Sequence, residues 1–206
     1  MSNSASDAKS HPQKRWLNLL LWILLALALR WQVIEPRWIP SGSMLPTLQL
    51  KDRILVEKII PRVNKIKSKH LKHETVVVFS PPQNLIEAGY DPNSALIKRV
   101  VGLPGEKIEI YNGELFRDGI LIKEVWREEK IEYDMDPIIV PSGQIWVLGD
   151  NRNNSLDSHI WGGLPEENLI GTAIWRYWPL NRFGPIRFPL PEKFEQDHHD
   201  AIMSKE

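Results

Sequence analysis

The 206-residue sequence contains no cysteine, and its 26 lysine and arginine residues are balanced by 26 aspartate and glutamate residues. Without cysteine the chain cannot form disulfides, cysteine-ligated zinc or iron–sulfur centres, or a thiol nucleophile. A formal net charge of zero gives the chain no overall electrostatic attraction to nucleic acid. The sequence also lacks the motifs typical of zinc proteases, P-loop nucleotidases, dinucleotide-binding folds and α/β-hydrolases. These absences exclude thiol enzymes and disulfide-stabilised scaffolds and leave few common catalytic chemistries.

Histidine is scarce near other reactive side chains. All histidines except His159 lie in polar tails or in a basic stretch, at positions 11, 70, 73, 198 and 199. A Ser-His-Asp triad therefore has few plausible bases. A serine nucleophile in this chain would need a different base.

An apolar segment near the N-terminus stands out from the otherwise mixed sequence. It runs from Trp16 to Leu29 with Asn18 as its only polar member, and apolar residues continue to Ile34. As a helix, the segment counted to Ile34 would be roughly 28 Å long, about the thickness of the bilayer core. We therefore predict a polar, disordered tail over residues 1–15 and a single transmembrane anchor over residues 16–34.

Two other interpretations fit the same segment. The basic pair Lys14 and Arg15 before it, and the Ala26-Leu27-Ala28 sequence within it, also fit a cleaved secretory signal peptide. An apolar run of this length is also found in buried helices. Positive residues flank both ends, so the positive-inside rule favours a cytoplasmic N-terminus only weakly. An anchor in this orientation would place the main domain on the outer face of the membrane.

The rest of the chain is rich in short β-branched runs separated by turn residues. Asn112-Gly113 and Asp118-Gly119 lie between apolar residues and predict two tight hairpins. We predict a mostly β fold, with an antiparallel β-rich domain over residues 35–191 and a polar tail over residues 192–206. The predicted strand segments are 54–56, 75–79, 97–101, 108–111, 138–140, 145–148 and 172–175.

Two further stretches are predicted to be loops. Proline and asparagine indicate a surface loop over residues 80–94. The basic stretch 58–73 fits a solvated loop or, alternatively, a contact with anionic lipid headgroups.

Three short segments carry candidate chemistry. Residues 40–48 form a serine-containing turn between prolines, Lys98 ends an apolar strand, and residues 149–163 are rich in Asp, Asn and Ser. If the strand directs Lys98 inward, burial would lower the pKa of its amine from about 10.4 toward that of a general base. Each segment alone also fits a structural role, since side-chain-to-backbone hydrogen bonds explain turns of this composition.

Taken together and in order, these segments resemble the motifs of the bacterial type I signal peptidases, or leader peptidases. The resemblance extends from the apolar segment to about Trp178, through stretches 35–48, 52–56, 98–105 and 149–158. It implies an antiparallel β-sheet catalytic domain of the signal-peptidase type, preceded by one transmembrane helix. It also implies a membrane-bound serine endopeptidase that removes N-terminal signal peptides, cutting after small residues in an A-x-A pattern.

The resemblance assigns roles to particular residues. Ser43 matches the nucleophile and Lys98 the general base, which would account for the missing histidine. The Ser41 hydroxyl and the Ser43 backbone N–H match the oxyanion-hole donors, and Ser155 matches a serine that orients the lysine amine. Supporting positions, expected to form ion pairs around the site, are Arg99, Asp150, Arg152 and Asp157. No metal and no other cofactor are implied.

The resemblance also implies partners and a location. The partners are preproteins that carry signal peptides, the lipid bilayer with anionic lipids as candidate contacts, and the export translocon in proximity. No nucleic-acid partner is expected. The protein would be a single-pass membrane protein whose catalytic domain lies on the extracytoplasmic side of the plasma membrane or the thylakoid membrane.

Two departures from the family pattern matter. His159 stands where many bacterial members have arginine, so Asp157 could form only a weaker or pH-dependent pair there. The segment between Gly105 and Gly149 is short compared with some Gram-negative members, which predicts a small cap or none.

Two alternatives come from other classes of protein. One is an inactive, membrane-anchored binding module that keeps the fold. The other is a soluble self-cleaving repressor with a Ser/Lys dyad. The repressor would need an N-terminal DNA-binding domain, and residues 1–40 supply only a tail and an apolar segment.

Overall fold

The computed structural model describes residues 12–58, 71–127 and 129–186, apart from the side chains of residues 12–15 and 28–32. Most of the predicted N-terminal tail, most of the basic stretch 58–73 and the predicted C-terminal tail therefore lie outside the described residues.

Helix α1 (Pro12–Val33) contains most of the apolar N-terminal segment. Proline suits the first turn because the N–H that it lacks would have no partner within the helix. From Trp16 to Leu27, every large apolar side chain of the helix is at least 45% exposed. In the part of the chain that the structure describes, no helix is both long enough and apolar enough to cross a membrane.

The strands form two antiparallel sheets. The first has eight strands in the order β1-β2-β11-β3-β4-β9-β10, with β12 beside β11, and the second has the order β7-β6-β5-β8. The strands of the first sheet are β1 (Ile34–Trp38), β2 (Arg53–Glu57), β3 (Val76–Phe79), β4 (Leu96–Gly102), β9 (Gln144–Leu148), β10 (Leu164–Pro165), β11 (Leu169–Trp178) and β12 (Gly184–Pro185). Those of the second are β5 (Lys107–Tyr111), β6 (Glu114–Arg117), β7 (Ile120–Leu121) and β8 (Met135–Ile139).

The prediction of a mostly β, antiparallel fold is confirmed. Each of the seven predicted strand segments overlaps a strand of the structure. Both predicted hairpins form, joining β5 to β6 and β6 to β7. Their turn residues have positive φ, 50° and 80° at Asn112 and Gly113 and 51° and 78° at Asp118 and Gly119. These angles are those of the type I′ turn that such dipeptides favour. The second sheet occupies the short segment between Gly105 and Gly149.

Two local predictions differ from the structure. Strand β1 was not predicted, because Pro36 lacks the N–H that a central strand needs. It is tolerated here since β1 lies at an edge and pairs only with β2. The stretch 80–94 is not entirely a surface loop, since it contains helix α2 (Gln83–Glu87). This helix forms because Leu85 is buried in an apolar cluster with Phe79.

The centre of the first sheet is buried on both faces. Val76 and Val78 of β3 belong to one apolar cluster, whereas Val77 and Phe79 belong to another. This alternation is the two-residue repeat of a strand. As a result, polar side chains on the neighbouring strand β4 are held inside the domain.

The remaining helix of the described residues, α3 (Ser158–Trp161), follows β9 after a loop that contains a short 3₁₀ turn. The Asp157 side chain caps its N-terminus by accepting a hydrogen bond from the His159 N–H. Trp161 of α3 packs with Phe79 of β3, their ring centroids 6.1 Å apart. The loop between β9 and α3 is thereby fixed at both ends beside β4.

Leu115 and Leu121 provide a matched pair of leucines in the second sheet. Leu115 is fully buried, whereas Leu121 is 48% exposed. We expect Leu115→Ala to lower the free energy of unfolding by about 2 to 5 kcal/mol, because it leaves a cavity. Leu121→Ala should lower it by less than about 1 kcal/mol. Denaturant unfolding of both variants in detergent tests this, and equal losses would contradict the place of Leu115 in the core.

Candidate active site

The turn that carries the candidate nucleophile connects β1 to β2. Its base is closed by the Lys51 N–H donating to the Ile39 carbonyl at 2.9 Å. Met44 and Leu48 are fully buried and anchor the turn in the core. Ser43 therefore lies next to a rigidly packed residue, while its own side chain remains half-buried.

The Gly149–Asp157 loop holds this turn from the other side. The Asn151 backbone N–H donates to the Ser43 carbonyl at 3.1 Å, and its side-chain amide donates to the Gly42 carbonyl at 3.2 Å. Because both acceptors are main-chain carbonyls, the position of the Ser43 backbone is fixed independently of its hydroxyl.

Lys98 lies on β4 and reaches the candidate nucleophile. Its amine donates a hydrogen bond to Ser43 Oγ at 2.7 Å, although the two residues are 55 positions apart in sequence. Lys98 is only 4% exposed. Burial lowers the pKa of its amine to about 8, while the carboxylates of Asp157 and Asp150 act in the opposite direction. A neutral amine, able to accept the hydroxyl proton, is therefore populated near neutral pH.

Two candidate oxyanion-hole donors flank Ser43. The exposed Ser41 hydroxyl lies 3.4 Å from Ser43 Oγ. The Ser43 backbone N–H donates to no acceptor among the described residues, so it is available to a ligand. Among the described residues, neither group donates to a backbone carbonyl.

Ser155 is placed differently from the sequence expectation. Its hydroxyl is buried but has no hydrogen-bond partner among the described residues, so the expected bond to the Lys98 amine is not formed. Ser155 instead packs against Gly149. A Cβ added at Gly149 would overlap Ser155 Oγ and would lie 2.5 Å from the Ser43 carbonyl oxygen. Only glycine allows these two serines to approach this closely.

Arg99 and Asp150 form a buried, bidentate ion pair beside the dyad. The Arg99 Nε and Nη2 atoms donate to the two carboxylate oxygens at 2.7 and 2.6 Å. Arg99 also donates to the Glu74 carbonyl at 2.7 Å and to Thr47 Oγ1 at 3.3 Å, and its guanidinium lies 4.3 Å from the centre of the Trp126 ring. The pair therefore joins β4, the nucleophile turn and the Gly149–Asp157 loop.

Arg152 is also buried, and its carboxylate partner is a residue that the sequence did not indicate. It forms a bidentate pair with Glu124, donating from Nη1 at 2.6 Å and also from Nη2. Its Nε atom donates to the Gly149 carbonyl at 2.9 Å. Glu124 lies 28 positions away in a segment without a motif, so no local pattern could have revealed it.

Asp157 is paired with the imidazole rather than with an arginine. Its Oδ2 accepts from the Gly149 N–H at 2.8 Å, and its Oδ1 lies 2.7 Å from His159 Nδ1. The Tyr133 ring stacks on the imidazole, with centroids 4.1 Å apart and an interplanar angle of 15°. Tyr133 was also not expected at the site, because it approaches only through tertiary contact.

A cavity of about 540 Å³ opens beside the dyad, lined by Ser41, Ser43, Lys98, Leu156, Tyr90 and the start of β4, among others. In the described part of the chain, β4 pairs with β9 only from Arg99 onward. The backbone edge of the residues before Arg99 is thus not covered by β9. Within the described ranges, no group of three or more metal-ligating side chains could hold a metal ion.

Residues 13–178 match the family described as signal peptidase, peptidase S26. The chain belongs to this family. A signal peptidase I is a serine endopeptidase that removes signal peptides from preproteins, and this is the activity of the chain. The match also excludes the self-cleaving repressor as an interpretation.

Several curated signal peptidases are similar to the chain. The identity is 46% with probable signal peptidase I-1 of Synechocystis, over 82% of this chain and 83% of that protein. It is 43% with signal peptidase I of Leptolyngbya laminosa, over 82% and 81%. It is 38% with probable thylakoidal processing peptidase 2 of Arabidopsis thaliana, over 97% of this chain and 54% of that protein. Curated signal peptidases of bacteria and a thylakoidal processing peptidase thus have sequences similar to that of the chain.

Gly149 gives a test of how the signal peptidase site is held together. We expect Gly149→Ala to lower kcat/KM by at least about tenfold, because an added methyl group displaces the Ser43 backbone. Gly102→Ala is the matched control, since its Cβ would press on the Ile108 side chain, away from the dyad. Measured together with thermal unfolding, a loss of activity in Gly102→Ala as large as in Gly149→Ala would contradict the specific role of Gly149.

Proposed function

We propose that this signal peptidase uses Ser43 as its nucleophile and Lys98 as its general base. The observation that carries the proposal is the 2.7 Å hydrogen bond between Ser43 Oγ and a buried lysine amine. A serine hydroxyl is a weak nucleophile at its ordinary pKa and needs an adjacent base. Lys98 is the basic side chain that contacts the Ser43 hydroxyl.

The reaction follows from these two groups. The neutral Lys98 amine takes the hydroxyl proton as Ser43 Oγ attacks the scissile carbonyl carbon. The resulting ammonium then donates that proton to the leaving amine, so the peptide bond breaks and an ester to Ser43 remains. Lys98, neutral again, removes a proton from the water that attacks the ester and returns it to Ser43 Oγ as the ester bond breaks. Lys98 therefore carries the proton in both the acylation and the deacylation step.

Negative charge on the carbonyl oxygen is stabilised by the Ser43 N–H and the Ser41 hydroxyl. Among the described residues, the Ser43 N–H has no acceptor and the Ser41 hydroxyl contacts only Ser43 Oγ. A well-placed donor of this kind contributes roughly 3 kcal/mol to transition-state stabilisation. Exposure of Ser41 lets its hydroxyl rotate from Ser43 Oγ toward the oxyanion as the charge develops.

The supporting residues act on the dyad through the backbone and through charge. Arg99 with Asp150, and Arg152 with Glu124, hold the loop that contacts Ser43. Asp157 contributes a carboxylate that stabilises the ammonium form of Lys98. By resemblance, Ser155 is the serine that orients the Lys98 amine, and its buried hydroxyl has no hydrogen-bond partner among the described residues.

The substrate class is a preprotein whose signal peptide ends in small residues, A-x-A. An extended peptide fits the uncovered edge of β4, because strand addition satisfies main-chain groups on both chains. Alternate side chains would point into the cavity beside Ser43, which is lined by Leu85, Leu96 and Leu156 among others. A partly apolar lining favours apolar over charged side chains, and the preference for small ones is the part of the proposal that comes from the resemblance.

Helix α1 supplies all but the last residue of the proposed membrane anchor, residues 16–34, since Ile34 begins β1. The domain 35–191 lies on the extracytoplasmic side of a plasma or thylakoid membrane in this proposal. The exposed apolar side chains on every side of the helix between Trp16 and Leu27 support it, since such a surface is stable only in lipid or in a protein core. The export translocon would then lie nearby.

A surface of the catalytic domain continues this apolar character. Trp38 is 65% exposed and Trp178 is 49% exposed, and both line a shallow groove with Arg37, Lys51 and Arg53. Tryptophan and basic side chains together suit the interface of a bilayer that contains anionic lipids. This groove supports a domain that rests on the membrane.

Substitution of the dyad tests the proposed chemistry. We expect Ser43→Ala and Lys98→Ala to be folded and inactive, and Lys98→Arg to be inactive too, because guanidinium stays protonated. Ser41→Ala should retain activity reduced by roughly two orders of magnitude. The assay is cleavage in detergent of a preprotein with an Ala-x-Ala signal peptide, with product mass locating the cut.

Lys107→Ala is the matched control for this assay, since Lys107 is exposed on β5. It should cleave like the wild type. Full activity of either dyad alanine variant would refute the assignment. Absence of cleavage by the folded wild type would favour the inactive binding module.

The anchor is tested by charge insertion. We expect the full chain to remain in membranes after an alkaline carbonate wash and to be released by detergent. Lysines in place of Leu20 and Leu24, which are 55% and 57% exposed, should release it because charge is costly in the bilayer core. Lysines in place of Ile120 and Leu121 are the control and should leave it bound. Release of the wild type by carbonate would contradict the anchor.

A further inference from the structure

His159 contacts the site and carries a titratable side chain, but it takes no part in the proposed dyad. Its side chain is 14% exposed, and its Nδ1 lies 2.7 Å from Oδ1 of the fully buried Asp157. The other carboxylate oxygen of Asp157 accepts from the Gly149 N–H. Histidine commonly changes charge near neutral pH, whereas an arginine there would not. The partner of this buried carboxylate is therefore a group whose charge depends on pH.

The other polar groups around this pair are two buried ion pairs and a tyrosine. The buried ion pairs are Arg99 with Asp150 and Arg152 with Glu124. Tyr133 stacks on the imidazole, and burial raises the pKa of its hydroxyl, so it stays neutral. Asp157 acts on both groups: it raises the pKa of the Tyr133 hydroxyl further, which leaves that group neutral, and it favours the ammonium form of Lys98.

We propose that His159 is a positioning residue for the general base, and that through Asp157 it makes the proton affinity of Lys98 depend on pH. The proposal rests on the proposed role of Lys98. It adds that the enzyme keeps a larger fraction of neutral Lys98 under acidic conditions than it would with an uncharged residue at position 159.

The direction follows from the charges. When His159 is protonated, its positive charge offsets the carboxylate of Asp157, and the ammonium form of Lys98 loses part of its stabilisation, so the pKa of Lys98 falls. When His159 is neutral, Asp157 acts on Lys98 without compensation and the pKa of Lys98 is higher. The two titrations are therefore coupled.

Two substitutions fix the charge at this position. His159→Arg keeps a permanent cation beside Asp157, and His159→Gln keeps a hydrogen-bond donor without charge. The measurement is kcat/KM for the Ala-x-Ala preprotein with the full chain in detergent, from about pH 5 to about pH 9, with thermal unfolding as the check of folding. Activity requires neutral Lys98, so each profile rises with pH toward a plateau.

We expect the rising limb of His159→Arg to lie about half a unit to one unit below that of His159→Gln on the pH axis. The wild type should follow the arginine variant at the acidic end and approach the glutamine variant toward neutral pH, so its limb is shallower than either. A purely structural role of His159 would change the height of the profile and not its slope.

Three superimposed profiles, or a wild type parallel to one variant throughout, would overturn the proposal. If either variant fails to fold, ¹³C-labelled lysine in the wild type allows Lys98 to be titrated directly by NMR, and a simple one-proton curve would overturn it equally. If Lys98→Ala is inactive and the profiles of the wild type and the two His159 variants are superimposed, only the proposed role of His159 is rejected. Active Lys98→Ala would reject the dyad instead.

Discussion

The site depends on a lysine amine kept out of water within reach of a serine hydroxyl. An exposed lysine would be protonated near neutral pH and could not accept the Ser43 proton. Burial on β4 destabilises the ammonium, and the sheet makes this burial possible because β4 is covered on both faces. The fold is thus the means by which Lys98 keeps a neutral amine that can act as a general base near neutral pH.

The same burial creates a problem of charge, because the carboxylates of Asp150, Asp157 and Glu124 are also buried in the domain. Asp150 and Glu124 are each held by an arginine in bidentate contact, which satisfies both members of each pair. Removing one partner would leave an uncompensated buried charge. Asp157 differs, since its partner is an imidazole. In the role proposed for His159, the compensation of this one carboxylate depends on pH and is passed on to Lys98.

How far the sequence predicted this arrangement depends on the range of the interactions involved. The strands and both hairpins follow from β-branched runs and from Asn-Gly and Asp-Gly turns, which act locally. Ser43 and Lys98 were assigned through resemblance, because nothing local brings together residues 55 positions apart. Glu124 and Tyr133 were missed since they reach the site only through tertiary packing. Strand β1 was missed because the cost of Pro36 depends on its place at a sheet edge, and the sequence does not show which strand is an edge.

The connection from α1 to Ser43 links the chemistry to the membrane. Strand β1 begins directly after α1, and the nucleophile turn begins directly after β1. Fully extended, the ten residues 34–43 span at most about 36 Å, so Ser43 cannot lie farther than this from the end of α1. With α1 as the proposed anchor, this length limits how far the Ser43 hydroxyl can lie from the bilayer surface. A signal peptide held in the same bilayer would present its first extended residues within the same distance of that surface. The position of the cut is then set by the distance of Ser43 from the membrane and by the distance of the substrate's scissile bond from the same membrane. The cavity beside Ser43 needs only to distinguish small side chains from large ones.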